Sequence, residues 1–590
     1  MKALTRLLCL KALVISVALQ AEDASPYPVA SFGIEQAVIN PAYPAWSPRM
    51  SYNHDSDITR FRGRYIAAWN ANPENPEEGR PGQLNYLSVS DDFQHWSQPV
   101  PIFTSQGGAV LPVDSTGSEL QWQPNFINDR NETLFSAWCV SGRNAGAYIS
   151  RSTDGLHWEN TRITEPLPES YDRSAAPGAF PFPSNHGLLT RAGVMLFPIC
   201  LVPSAVAKGQ SLQVAALISQ DGGSTWQWGN FTPVMLMKPF LKPGRVNTGK
   251  KQEMRLWEPH FYEHPDGKIG LLVRVNNTAP EDGLTSDQMI LKADSSDGGR
   301  TFSPLRTADI QTISSRHMSF SMTRSPGDLL LAANDWLTGF SPYPRDRHFL
   351  SLYLSPVCDP DLLIPGPVIQ KPGAIGHYPN GEINDGELIL SYTYGMKPRD
   401  LLACRIKGLP EFKTPFFLQR ESRPQVEIDP ATHTAHFPET YSSLGLVLTP
   451  ALSTAAQLTL AFTARLLTMP NYYPGLSPDE AVNSLTLLTI GAVDHHHTRL
   501  RVSGPSPPYD LQLLKNNRWV KIAEVGLRQP IRIHLTLTDK TYSVQVGDSQ
   551  PISVPGRLNR KINFGGFYTP PIAYPTTGTF DLDLKSVRVR

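Results

Sequence analysis

Charge of one sign is what this 590-residue chain lacks most plainly: 53 Lys and Arg balance 53 Asp and Glu, for a net charge of +0. With no field of either sign, nucleic acids and anionic membrane surfaces are not expected partners, and any recognition of an anion must be local. Cysteine is scarce as well, with five in the whole chain. Cys9 sits in the N-terminal segment, and Cys139, Cys200, Cys358 and Cys404 occur singly, without the paired spacing of a zinc site or a dense disulfide framework. Cys139 and Cys200 occupy similar places in successive repeats and read as buried core thiols, with one or two disulfides left open. Beyond the N-terminus no apolar run is long enough to cross a bilayer. No motif calls for a metal or another cofactor.

Proline and glycine are plentiful, 54 and 43 residues, and punctuate many short alternating runs in the manner of a large all-β protein. The length suggests about two to four domains. The N-terminus combines Lys2, Arg6 and Lys11 with the apolar run LVISVAL and small residues at Ala18 and Ala21. This pattern predicts an export signal over residues 1–21 and a secreted or periplasmic protein.

One short motif recurs in four degenerate copies: SVSDDFQHW ending at Trp96, SRSTDGLHW at Trp158, ISQDGGSTW at Trp226 and SSDGGRTF at Phe302. It resembles the Asp box of the sialidase-like (BNR) β-propeller superfamily. The resemblance implies a hairpin turn between the outer strands of a blade, with the aromatic residue packed between sheets, so it argues fold far more than chemistry.

A second repeat runs through the strands expected to line the central channel. Six segments begin at Ser51, Trp122, Pro183, Trp257, Ser315 and Gly376, each with a polar or aromatic start, a Gly or Asp turn and an apolar strand. Their spacing of roughly 60 to 75 residues matches one four-stranded blade each. The expectation is a six-bladed propeller over residues 28–411, with a seventh irregular blade as the alternative count. A strand near Val29–Ile39 is expected to close the last blade together with residues 401–406.

Propeller chemistry takes place where the inner strands begin. Those positions give Asn53 and His54, Gln123 and Asn125, Asn185 and His186, Glu258 and His260, Arg316 and His317, then His377 and Tyr378. Five histidines at homologous places are more than structural hydrogen bonding usually requires, since unpaired buried imidazoles cost free energy. The resemblance to sialidases sharpens at Glu258, with Asp266-Gly267 and then Arg274 sixteen residues on. It continues with Arg345 and Arg347, and with Tyr378 followed by Asp385-Gly386 and Tyr392. It implies a Tyr nucleophile paired with a Glu, and arginines that grip a carboxylate.

Half of that pattern is missing. Tyr52, Asn53 and His54 stand where the family carries its first arginine, and neither Asn nor His replaces a bidentate guanidinium. Asn70 lies near the expected acid/base Asp, and Glu74, Glu77 or Glu78 could substitute only from a Pro-rich loop expected to be mobile. A second resemblance, to propeller polysaccharide lyases and rhamnosyl-glucuronate lyases, implies His186 as one catalytic group and Arg274 as another, with Glu258 where those enzymes carry a Tyr. There Arg274, helped by Asn185 or Asn125, would neutralise a uronate carboxylate, His186 or His54 would take the proton, and Tyr378 or a second His would protonate the departing oxygen. Three readings stay open: a uronate-directed β-elimination lyase, placed first; an exo-acting hydrolase using Tyr378 and Glu258; and a non-catalytic glycan-binding propeller. The catalytic candidates are His186, Tyr378, Glu258 and His54. The substrate-binding candidates are Arg274, Arg347, Arg345, Asn185, Asn125, His260, His317 and His377. The expected partner is an acidic oligosaccharide or polysaccharide, taken by a monomer.

After about Phe412 the Asp boxes stop, and LGLVLTP, QLTLAFTARL, NSLTLLTIG, IRIHLTLTD and TYSVQVG alternate at strand period. Residues 412–590 resemble concanavalin-like or laminin-G-like sandwiches. The run His495-His496-His497 is expected in a loop and not in a chelating zinc site.

Overall fold

The computed structural model describes residues 27–41, 50–103, 105–106, 109–110, 119–142, 146–171, 180–202, 213–234, 236–237, 252–253, 256–275, 278–279, 284–285, 290–308, 310, 318–321, 328–334, 349–396, 399–419, 426–438, 443–469, 484–490, 498–504, 506–515, 518–555, 558, 560–565 and 578–590. The expected export signal, Arg316, His317, Arg345, Arg347 and His495–His497 lie outside the described residues. The chain forms two compact units, Ser31–Glu411 and a second unit in which Phe412–Arg590 gathers the N-terminal residues up to Ala30.

The first unit is a six-bladed β-propeller. Its blades are antiparallel sheets whose innermost strands are Tyr52–Phe61, Leu120–Asn128, Phe180–Pro183 with Leu188–Leu189, Leu256–Glu263, Met318–Ser321 and Gly376–Asn384. The sixth blade is closed by Gly33–Asn40, which pairs with Asp400–Lys407 from Gly33↔Lys407 through Asn40↔Leu401. The first strand of the unit thus completes the last blade as its outer strand, as expected of the segment near Val29–Ile39. Middle strands such as Arg64–Asn72 and Ile269–Val275 are buried on both faces because each blade packs against two neighbours.

The Asp boxes hold the blades in register. In each copy a Ser hydroxyl accepts the amide of the Gly or Phe at the turn, and the Asp carboxylate accepts amides further on. Thus Asp154 Oδ1 takes Leu156 and His157 N–H at 2.8 Å, and Asp221 Oδ1 takes Thr225 N–H at 2.9 Å. The aromatic residue then fills the gap to the preceding blade. Trp158 stacks 6.0 Å from Phe126 and meets Phe103 of the first blade edge-on at 5.4 Å, while Phe302 stacks 5.5 Å from Phe261. Gly223 shows how tight this joint is: its φ is +85°, and a Cβ there would lie 2.3 Å from the Phe135 ring.

The second unit contains two seven-stranded antiparallel sheets. Strand Gln457–Thr468 buries every second residue, and Leu458, Leu460, Phe462, Ala464 and Leu466 face one core shared with Leu485, Ile490 and Phe564 of the other sheet. Phe462 meets Phe564 edge-on at 5.2 Å across that core. This is sandwich packing produced by period-2 alternation. Cys139, Cys200, Cys358 and Cys404 are all buried free thiols, and no described helix is long and apolar enough to cross a membrane.

Candidate active site

The innermost strands share one irregularity. Four of them break register within a short window, between His54/Asp57, Trp122/Asn125, Trp257/His260 and His377/Asn380. The extra residue there has left-handed backbone: Asp55 (φ +48°), Gln123 (φ +42°), Glu258 (φ +50°) and Tyr378 (φ +60°), joined in the third blade by Asn185 (φ +70°). For residues other than glycine this conformation costs roughly 1–2 kcal/mol each, and such bulges re-aim side chains next to active sites. The left-handed residue therefore marks the site-forming position of these five blades. In the first blade that position is Asp55, one residue past the Asn53 and His54 selected from sequence.

Two polar clusters result. In the first, Arg274 donates through Nη1 to Glu258 Oε2 at 2.6 Å and to Tyr378 Oη at 3.2 Å. The sixteen-residue spacing places Arg274 here because Trp257 pairs with Arg274 across the hairpin. Burial works against the guanidinium charge, but the Glu258 carboxylate and the Tyr378 oxygen outweigh it and hold Arg274 firmly cationic. Glu258 Oε1 is buried without a hydrogen-bond partner among the described residues, while Tyr378 itself is only half-buried. The His54 ring lies 4.3 Å from the Tyr378 ring, and Tyr52 packs edge-on to His54 at 5.9 Å.

In the second cluster His186 is held between two carboxylates. Its Nδ1 lies 2.9 Å from Asp57 Oδ2, and its Nε2 lies 3.8 Å from Glu382 Oε2. Burial lowers the imidazole's proton affinity, yet the charge and hydrogen bond of Asp57, then the charge of Glu382, win and raise its pKa above the ordinary value. The same Asp57 accepts Ile58 N–H at 2.8 Å and Phe126 N–H at 2.6 Å, and Asn380 Oδ1 accepts His186 N–H at 2.7 Å.

The remaining candidates are placed as follows. Asn185 donates to the Glu258 and Pro259 carbonyls at 3.0 Å, so it holds the Glu258 bulge in shape. Asn125 is fully buried, donating to Gln123 O at 2.8 Å and accepting from Asn380 Nδ2 at 3.2 Å. His377 lies 3.1 Å through Nε2 from Gly395 O, and His260 is fully buried on the fourth blade's innermost strand, just past the Glu258 bulge. Tyr392 is likewise buried, with its hydroxyl donating to Gln36 Oε1 at 2.7 Å. Sequence reasoning passed over Asp55, Asp57 and Glu382. Aligning HDSD with WQPN, SNHG, WEPH and HYPN carries the signal for the first two.

The loop after the first blade's second strand also differs from expectation. Asn72 ties it down, accepting Glu74 and Asn75 N–H at 3.0 Å and donating to Pro81 O at 2.9 Å. Glu77 is taken up by Arg80, whereas Glu78, His54 and Asp55 bring one ligand atom each to within 4.8 Å of one another.

A family described as the BNR repeat-like domain matches residues 63–358, half of the chain. No curated protein matches it. Among solved structures, a protein of unknown function from Dyadobacter fermentans is 15% identical, with 64% of this chain and 99% of that one covered at a TM-score of 0.45. Trypanosoma rangeli sialidase in complex with the inhibitor DANA is 13% identical, with 94% and 97% covered and a TM-score of 0.47. A Trypanosoma rangeli sialidase mutant displaying trans-sialidase activity is 12% identical, with 95% and 98% covered and a TM-score of 0.47. On the family match and its Asp-box propeller, the chain belongs to the BNR repeat-like family of sialidase-like propellers.

Proposed function

We propose that this protein is an exported carbohydrate-active enzyme that releases a terminal acidic sugar from a glycan by hydrolysis, with Tyr378 as the reacting group. The observation that carries the reading is the half-buried Tyr378 hydroxyl, which accepts from the buried Arg274 while Arg274 is neutralised by Glu258. A donor aimed at the phenol oxygen stabilises the charge that develops as its proton leaves, and Glu258, with Oε1 buried and without a partner among the described residues, is the acceptor assigned to that proton. A neutral Tyr also avoids the repulsion a carboxylate nucleophile would meet at an anionic sugar. The His54 ring lies 4.3 Å from the Tyr378 ring, and the proton that Glu258 takes up is the one the departing oxygen receives.

Elimination is the second reading, favoured by the contact of two titratable rings, His54 and Tyr378, at 4.3 Å. His186 suits it poorly as the base, because Asp57 and Glu382 stabilise its protonated form. The C-terminal unit, which we take to be concanavalin-like, would bind glycan. The test is mass spectrometry of products from sialylated and uronate-bearing oligosaccharides. Products heavier in sum than the substrate by one water support hydrolysis, products of equal summed mass support elimination, and intact substrate with retained binding supports a glycan-binding propeller and overturns the enzyme reading.

A further inference from the structure

We propose that His54, Asp55 and Glu78 form a binding site for one divalent cation beside Tyr378. His54 and Asp55 are 2% exposed and sit at the first blade's bulge, while Glu78 reaches the same point from the Asn72-tied loop. Their three ligand atoms lie within 4.8 Å of one another, about twice a metal–oxygen bond of roughly 2.4 Å. His54 Nδ1 lies 2.9 Å from the Thr393 hydroxyl of the neighbouring blade, and Nε2 lies 3.7 Å from Asp55 Oδ1. That separation is too long for a hydrogen bond and suits two adjacent ligands of one ion. The Thr393 contact supplies the outer hydrogen bond that fixes a ligating imidazole's tautomer and tilt.

An independent observation points to the same place. The Tyr52 hydroxyl is fully buried and has no hydrogen-bond partner among the described residues, an expensive arrangement for a phenol. Its ring packs edge-on against His54 at 5.9 Å. A cation held by His54, Asp55 and Glu78 would give this oxygen, directly or through a bound water, its partner.

One imidazole with two carboxylates favours Mn²⁺ or Zn²⁺ over the all-oxygen preference of Ca²⁺ and Mg²⁺. The position also has a chemical logic. The first blade places an acid, Asp55, where the opposite blade places the Arg274–Glu258 pair, and a bound cation would reverse the sign of the field met by an anionic sugar docked over Tyr378. That last step rests on the glycan reading above; the cation site itself does not.

The test is metal uptake by the chelator-treated full chain, followed by calorimetric titration with Mn²⁺ and Zn²⁺ and by elemental analysis after gel filtration. One equivalent of Mn²⁺ or Zn²⁺ is expected, with Ca²⁺ binding at least tenfold more weakly. Asp55→Asn should abolish uptake, and Glu78→Gln, a change at an exposed loop residue, should weaken it at least tenfold while the melting temperature without metal stays put. No stoichiometric uptake, or uptake unchanged in Glu78→Gln, overturns the proposal. Because uptake is read without substrate, it separates failure of the cation site from failure of the hydrolase reading.

Discussion

The propeller holds two charged clusters built from the same materials, a cation between acids, and they are finished differently. Around His186 three of the four carboxylate oxygens carry hydrogen bonds: Asp57 holds His186, Ile58 and Phe126. Glu382 Oε1 takes Thr59 Oγ1 and Arg60 N–H at 2.8 Å and Asn384 Nδ2 at 3.0 Å. Around Arg274 one carboxylate oxygen of Glu258 is left buried without a partner among the described residues, and Tyr378 is only half-buried. Buried polar groups are expensive unless satisfied. The His186 cluster spends its hydrogen bonds on joining the first, second, third and sixth blades, so it is a brace. The Arg274 cluster carries strained backbone and an unmet acceptor, which is the signature of a place prepared for a ligand.

The largest expected effect divides the two clusters by activity. Tyr378→Phe removes only the hydroxyl and should lower turnover about a thousandfold, the scale for losing a nucleophile or proton-transfer group. Its melting temperature should stay within about 2 °C, because a half-buried hydroxyl contributes little to stability. Asp57→Asn should show the opposite profile. It leaves His186 beside a group that cannot offset its charge, and breaking a buried pair this way costs about 3 kcal/mol or more. Turnover per folded molecule should remain within about tenfold. Chemical denaturation and kinetics on both variants decide the matter, and a Tyr378→Phe enzyme with normal turnover would remove Tyr378 from the chemistry.

The same contrast explains what could be read from the sequence. Glu258, Arg274 and Tyr378 were legible because their spacing is fixed by one hairpin and by the blade repeat: sixteen residues bring Arg274 opposite Trp257. The closing strand was expected near Val29–Ile39 together with residues 401–406, and Gly33–Asn40 does pair with Asp400–Lys407. The brace was hidden. Asp57 and His186 are 129 residues apart and lie on blades that are not neighbours in the ring, so no local spacing announces them. Asp55 was missed for a different reason: the bulge adds a residue to the inner strand and turns the face that His54 would otherwise set. The four Asp boxes announced the fold clearly and the chemistry hardly at all, because their Ser and Asp are consumed by turn amides far from the bulges.

The smallest expected effect tests whether the brace carries its proton. The folded-state pKa of His186 is raised above the ordinary value near 6.5. A group raised in this way binds its proton more tightly folded than unfolded, so its contribution is fully present below about pH 6.5 and is lost as pH climbs through the folded value. The propeller's unfolding free energy should therefore decline from pH 6.5 into the alkaline range, by about 1.4 kcal/mol for each unit of upward shift. The informative quantity is the difference between the native chain and His186→Gln, followed by denaturant titration at several pH values. That difference should shrink as pH rises. A difference that stays level across the range would mean that His186 is neutral in the folded protein, and that Asp57 braces the blades through its backbone hydrogen bonds to Ile58 and Phe126 alone.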